Sequence, residues 1–146
     1  MYLYGRRAAL AALLPLCFGV LATAPAYADD TPSPCDALKR IVAAAPDFSS
    51  LSATDGRAVA LPHGDDATCA ASKSNYRCTW TPRSGSSADA LQGVGADIAS
   101  CMPDATHDQN SPSRQHFYLG ARGARTEITA SQAGSNKLKL EISGSR

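Results

Sequence analysis

Four cysteines, Cys35, Cys69, Cys78 and Cys101, follow a stretch that reads as an export signal, and the two features together decide most of what the chain can become. Arg6 and Arg7 are the only charges before residue 29, residues 8–24 carry none, and Ala26-Tyr27-Ala28 is a small-x-small site directly before Asp29-Asp30. That three-part order marks a cleaved secretory signal, so residues 1–28 are expected to leave, with cleavage following Ala28. A membrane anchor is the competing reading. Seventeen uncharged residues interrupted by Pro15 and Gly19 reach only the lower edge of a spanning helix, so no membrane span is expected after cleavage. Arg6-Arg7 would also suit twin-arginine export, although adjacent arginines are common in such leaders. Cys17 follows the bulky Leu16, which does not suit a lipid-attachment site, and it departs with the leader.

An even number of cysteines in a small exported domain implies two disulfides. The alternative, a zinc ion held by four thiolates, needs two close cysteine pairs. The gaps here are 33, 8 and 22 residues, and an oxidising compartment works against free thiolates. Of three possible connectivities the patterning favours Cys35–Cys101 with Cys69–Cys78. The first pair lies on the apolar stripes of two expected helices, and the second flanks a tight hairpin.

Removing the leader takes the basic side chains from 14 to 12 and leaves all 13 acidic ones, so the formal net charge moves from +1 to −1. A near-neutral domain with no lysine or arginine stripe has no electrostatic reason to bind nucleic acid or anionic lipid. The 118 residues that remain suffice for one domain with one core.

The expected architecture is α+β, in the order α-β-β(β)-α-β-β-β, with two helices packed on one face of an antiparallel sheet. A flexible lead-in, 29–34, precedes a single domain, 35–142, and a tail, 143–146. Ser33-Pro34 caps a helix over 35–45, whose Cys35, Leu38, Ile41, Val42 and Ala45 recur at helical spacing. Residues 57–61 read as a short strand, and 62–66 as a turn. Runs 68–71 and 75–81 form a hairpin, the second alternating Tyr76, Cys78 and Trp80 with Arg77, Thr79 and Thr81. Ser87 caps a second helix, 88–102, although Gly93 and Gly95 each weaken it by roughly 1 kcal/mol relative to alanine. Residues 103–113 read as a patternless polar loop. Strands over 114–120, 124–130 and 137–142 complete a meander.

Candidate chemistry is sparse. His63-Gly64-Asp65-Asp66 could bind a divalent ion or exchange protons, but a solvated glycine-containing turn between strands is the simpler account of it. His107, with Asp108, stands in the polar loop, and His116 on a strand. Tyr76 and Trp80 could make a stacking platform for a sugar or peptide, although a tryptophan beside a disulfide belongs more naturally in a core. The serines lack a nucleophile elbow, and Gly93-x-Gly95 falls far short of a dinucleotide fingerprint. No pattern calls for a cofactor or a metal. The expectation is therefore a non-enzymatic periplasmic or secreted domain acting by protein–protein contact in the cell envelope, such as an inhibitor or immunity-type protein. A small-ligand or carbohydrate-binding module through Tyr76 and Trp80 is the second reading. A small hydrolase using His63, Asp65 and Asp66 is the third.

Overall fold

A computed structural model describes residues 31–145; the expected leader, 1–28, lies outside them. Helix α1 (Pro34–Ala43) starts where the sequence places it. Ser33 Oγ accepts a hydrogen bond from the Asp36 amide at 3.1 Å and donates one to the Asp36 carboxylate at 2.7 Å, with proline at the first turn. Its buried stripe is Ala37, Leu38 and Ile41. Helix α3 (Ser87–Cys101) begins one residue earlier than expected, because Ser86 rather than Ser87 provides the cap, again through an aspartate three residues on.

Six antiparallel strands form one sheet: β1 (Gly64–Ala71), β2 (Asn75–Pro82), β3 (Thr106–Ser111), β4 (Arg114–Leu119), β5 (Thr126–Gln132) and β6 (Leu138–Gly144). Their lateral order is β1-β2-β6-β5-β4-β3, so the hairpin and the C-terminal meander join where β2 pairs with β6. One face carries the core. Tyr76, Cys78 and Trp80 of β2 stand beside Ile142, Leu140 and Leu138 of β6, and the row continues through Ile128 and Ala130 to Phe117 and Gln115. Helix α3 packs on β4 and β5, and α1 packs against α3. Four buried aromatic rings from this face and its loops, Trp80, Tyr76, Phe48 and Phe117, are at most 1% exposed.

Three readings of the sequence need correction. Residues 57–61 form no strand: helix α2 (Arg57–Ala60) stands there, with Ala58, Val59 and Ala60 all buried against α1, β1 and β2. A short apolar run fits a helical turn as well as a strand, and contacts on every side decide it. Residues 64–66 belong to β1 rather than to a turn, the register slipping between Asp65 and Thr68 with Asp66 at φ 55°. The supposed loop 103–113 contains β3, an edge strand with no apolar residue, which among the described residues pairs with β4 alone. The element order is thus α-α-β-β-α-β-β-β-β, and the α+β class stands.

Both disulfides form as the patterning favours, Cys35–Cys101 joining α1 to the end of α3 and Cys69–Cys78 crossing the hairpin at a directly paired position. Closing the longer loop stabilises the fold by roughly 4 kcal/mol and the shorter by about 3 kcal/mol in the chain-entropy account. Reduction with dithiothreitol should therefore unfold the domain or lower its melting temperature by at least about 20 °C, read by circular dichroism; an unchanged melting curve would refute the stabilising role. The two helix glycines should part company. At Gly93 an added methyl meets nothing within 4 Å, so Gly93→Ala should stabilise by about 1 kcal/mol. At Gly95 it would lie 2.8 Å from Gln115 Oε1, so Gly95→Ala should destabilise by about 1–3 kcal/mol, both measured by urea denaturation.

Candidate functional site

The polar residues singled out in the sequence do not converge. His63, in the turn before β1, places Nε2 3.0 Å from Asp97 Oδ2 on α3, against an apolar crevice lined by Leu38, Val59 and Val94. Burial pushes the His63 imidazole below its ordinary pKa of 6.5, although Asp97 pulls in the opposite direction. Asp65 faces Arg83 instead. It accepts from Nη2 at 2.8 Å and from Nε at 3.3 Å, and these hydrogen bonds hold its carboxyl below the ordinary value. Asp66 is exposed beside the register slip. His63 precedes one edge strand, while His107 stands on the other, five strand spacings or roughly 24 Å away. The His63, Asp65 and Asp66 set therefore assembles no common centre. Tyr76 and Trp80 are each 1% exposed, so they pack the core and offer no stacking platform.

His107 turns inward from β3. Its ring stacks on Phe117 with centroids 4.0 Å apart, and its Nε2 lies 2.8 Å from Gln115 Oε1. Gln115 is buried under α3, where Gly95 leaves room for it, and its amide donates to Asn110 Oδ1 and the Ser111 carbonyl. This network anchors a strand that has no apolar side chain to bury.

The larger arrangement is the opposite face of the sheet, which no helix among the described residues covers. Register places its side chains in rows. Thr79, Lys139, Ser131 and Arg114 form one; Arg77, Glu141, Thr129 and His116 form the next; Ser143, Glu127 and Tyr118 form a third. Glu141 lies between Arg77 and Lys139, 3.3 Å from each. Burial raises its carboxyl, but the hydrogen bonds from both cations outweigh that and leave it below the ordinary value. His116 Nδ1 is 2.5 Å from Asp108 Oδ1, and its Nε2 is 3.9 Å from Glu127 Oε2. Asp108 is the extra residue where β3 slips against β4, so the bulge itself aims the carboxylate at the ring. The hydrogen bond from His116 holds the Asp108 carboxyl below its ordinary value. Arg125 lies over Tyr118, its guanidinium carbon 4.0 Å from the ring centre. Between these rows opens a groove of about 330 Å³, lined by Arg114, Ser131, Lys139, Thr129 and Glu141 among others.

The two carboxylates address opposite nitrogens of His116, so one ion could not be held by all three groups. Among the described residues no set of three or more histidine, cysteine or acidic side chains is placed to hold a metal. What this face does present is fixed charges and hydroxyls on a rigid sheet. Its signal in the sequence is the alternation itself, in the polar halves of the strands around Arg77, His116, Thr129 and Lys139. No known protein family, curated protein or solved structure matches the chain.

The lowered imidazole of His63 sets a sign for the pH dependence of stability. Unfolded chain takes up that proton near pH 6.5 and the folded chain only at lower pH, so stability is fully present above 6.5 and declines as pH falls through this window. His63→Asn should remove that slope. Asp97→Asn, which deletes the partner that raises the imidazole, should steepen it. Urea midpoints measured between pH 7.5 and 5 read both; parallel curves for all three proteins would count against this assignment.

Proposed function

We propose that this chain is exported and acts as a non-enzymatic binding module, meeting a protein partner in the cell envelope in the manner of an inhibitor or immunity-type protein. The uncovered polar face of the sheet is its contact surface. One observation carries this reading: a six-stranded sheet is buried on one face only, and the other displays an ordered array of charged and hydroxyl side chains on a doubly cross-linked scaffold. Rigid display of this kind keeps the ordering cost of binding low. Such a face also suits a protein better than a small molecule, because it is broad and polar, where small-ligand sites are enclosed and mostly apolar. The two disulfides and the absence of any helix long and apolar enough to cross a membrane, among the described residues, are compatible with export.

A photo-reactive residue placed at Thr79 or Thr129, on the uncovered face, should cross-link one protein in stoichiometric yield from envelope extract. The same group at Ala43 or Ala99, exposed on α1 and α3, should not. Equal labelling from both surfaces, or none from either, would overturn the reading.

A further inference from the structure

Carboxylates and cations on the uncovered face are unevenly matched. Each acidic group there already has a basic neighbour: Glu141 has Arg77 and Lys139, and Asp108 and Glu127 both face His116. Arg114 has no acidic partner among the described residues, and its hydrogen bonds to Ser111 use only backbone atoms of its own. Lys139 shares its single carboxylate with Arg77. Both cations stand in one register row, Arg114 opposite Ser131 and Ser131 opposite Lys139. Their backbones are thus about 10 Å apart, with a hydroxyl midway and the groove opening above. No acidic side chain occurs in that row on β2, β6, β5 or β4, where its members are Thr79, Lys139, Ser131 and Arg114.

We propose that Arg114, Ser131 and Lys139 form an anion-binding row that receives a carboxylate-bearing, acidic segment of the partner protein. The inference rests on the uncovered face being the contact surface and names the chemistry that would meet it there. Arg114 offers a planar fork that can hold a carboxylate through two hydrogen bonds, Lys139 a compact charge, and the Ser131 hydroxyl a donor between them. The row itself holds two positive charges and no negative one, and the two carboxylates that line the same groove, Glu141 and Glu127, already face Arg77, Lys139 and His116, so electrostatic complementarity at the row favours an acidic occupant.

The test is a nuclear magnetic resonance titration of the oxidised, isotope-labelled protein with three probes: an end-capped tetraglutamate peptide, an end-capped tetraglutamine peptide and inorganic sulfate. Tetraglutamate should shift the amides of Arg114, Ser131 and Lys139 saturably, and tetraglutamine should not. Arg114→Gln and Lys139→Gln should each weaken that binding about fivefold while leaving the remaining spectrum in place. Raising the salt concentration should weaken it further. Shifts scattered over all surface lysines and arginines, or sulfate matching the peptide on the same amides, would overturn the proposal as adventitious ion binding only. Cross-linking through Thr129 that persists while tetraglutamate fails to bind would overturn this inference alone and leave the contact surface intact.

Discussion

Strand β2 governs the rest of the structure, because every inward side chain on it is large or cross-linked and all three are at most 1% exposed. Tyr76 ties the sheet to the loop ahead of α2: its hydroxyl accepts from the Gly56 amide at 2.7 Å and donates to the Ser52 carbonyl at 2.7 Å. A hydroxyl buried this way must be bonded in both directions to avoid a desolvation cost. Burial raises the Tyr76 phenol above its ordinary value, the Gly56 hydrogen bond and the nearby arginines opposing the shift. The close fit dictates residues elsewhere. A side chain at Gly56 would run into Cys78 and Tyr76, and one at Gly64 into Trp80 and the Thr81 carbonyl. Asp55, which accepts from the Ser52 amide at 2.6 Å and pairs with Arg40, fixes the same loop from its other side.

One-sided burial follows from the amount of helix available. Helices of ten, four and fifteen residues can roof one face of six strands, and Cys35–Cys101 holds the two longer ones together over it. The second face must then satisfy itself with its own polar side chains. Its ion pairs are exposed enough that each adds only about 0–1 kcal/mol of stability, too little to explain so ordered a set of charges as a folding device. A surface whose charges contribute little to folding is free to be shaped by recognition.

How much of this was legible depended on whether a residue's neighbours lie close in sequence. The cap at Ser33, the proline after it, the alternation of Tyr76, Cys78 and Trp80, and the short Cys69–Cys78 link are local patterns that read directly into structure. Cys35–Cys101, 66 residues apart, was legible because each cysteine lies on the apolar stripe of its own helix. Arg57 to Ala60 is too short for periodicity to separate helix from strand, and burial from every side settled it. Strand β3 was invisible for a different reason: an edge strand can be polar on both faces, and Thr106 to Ser111 is. His107 showed its role only once Phe117 and Gln115 lay beside it across the ladder. The uncovered face was half legible. Its alternating polar residues are in the sequence, but which strands adjoin depends on β2 meeting β6, a pairing across some sixty residues that no local signal announces.

Both sheet edges bear on where a partner can meet this domain. An unpaired edge strand invites pairing with any passing chain, and proteins commonly blunt it with bulges and charges. On β1 the register slips between Asp65 and Thr68, beside two aspartates; on β3 it slips at Asp108. Each slip interrupts the run of backbone donors and acceptors that an added strand would need. The slip on β3 does a second thing, turning Asp108 onto His116 and so extending the charged array of the uncovered face to the sheet's margin. One irregularity thus weakens the edge as a docking line and completes the face as a docking plane. On the proposed reading, recognition runs through side chains standing on the sheet rather than through strand addition, and specificity lies in how Arg114, Lys139, Glu141 and His116 are spaced.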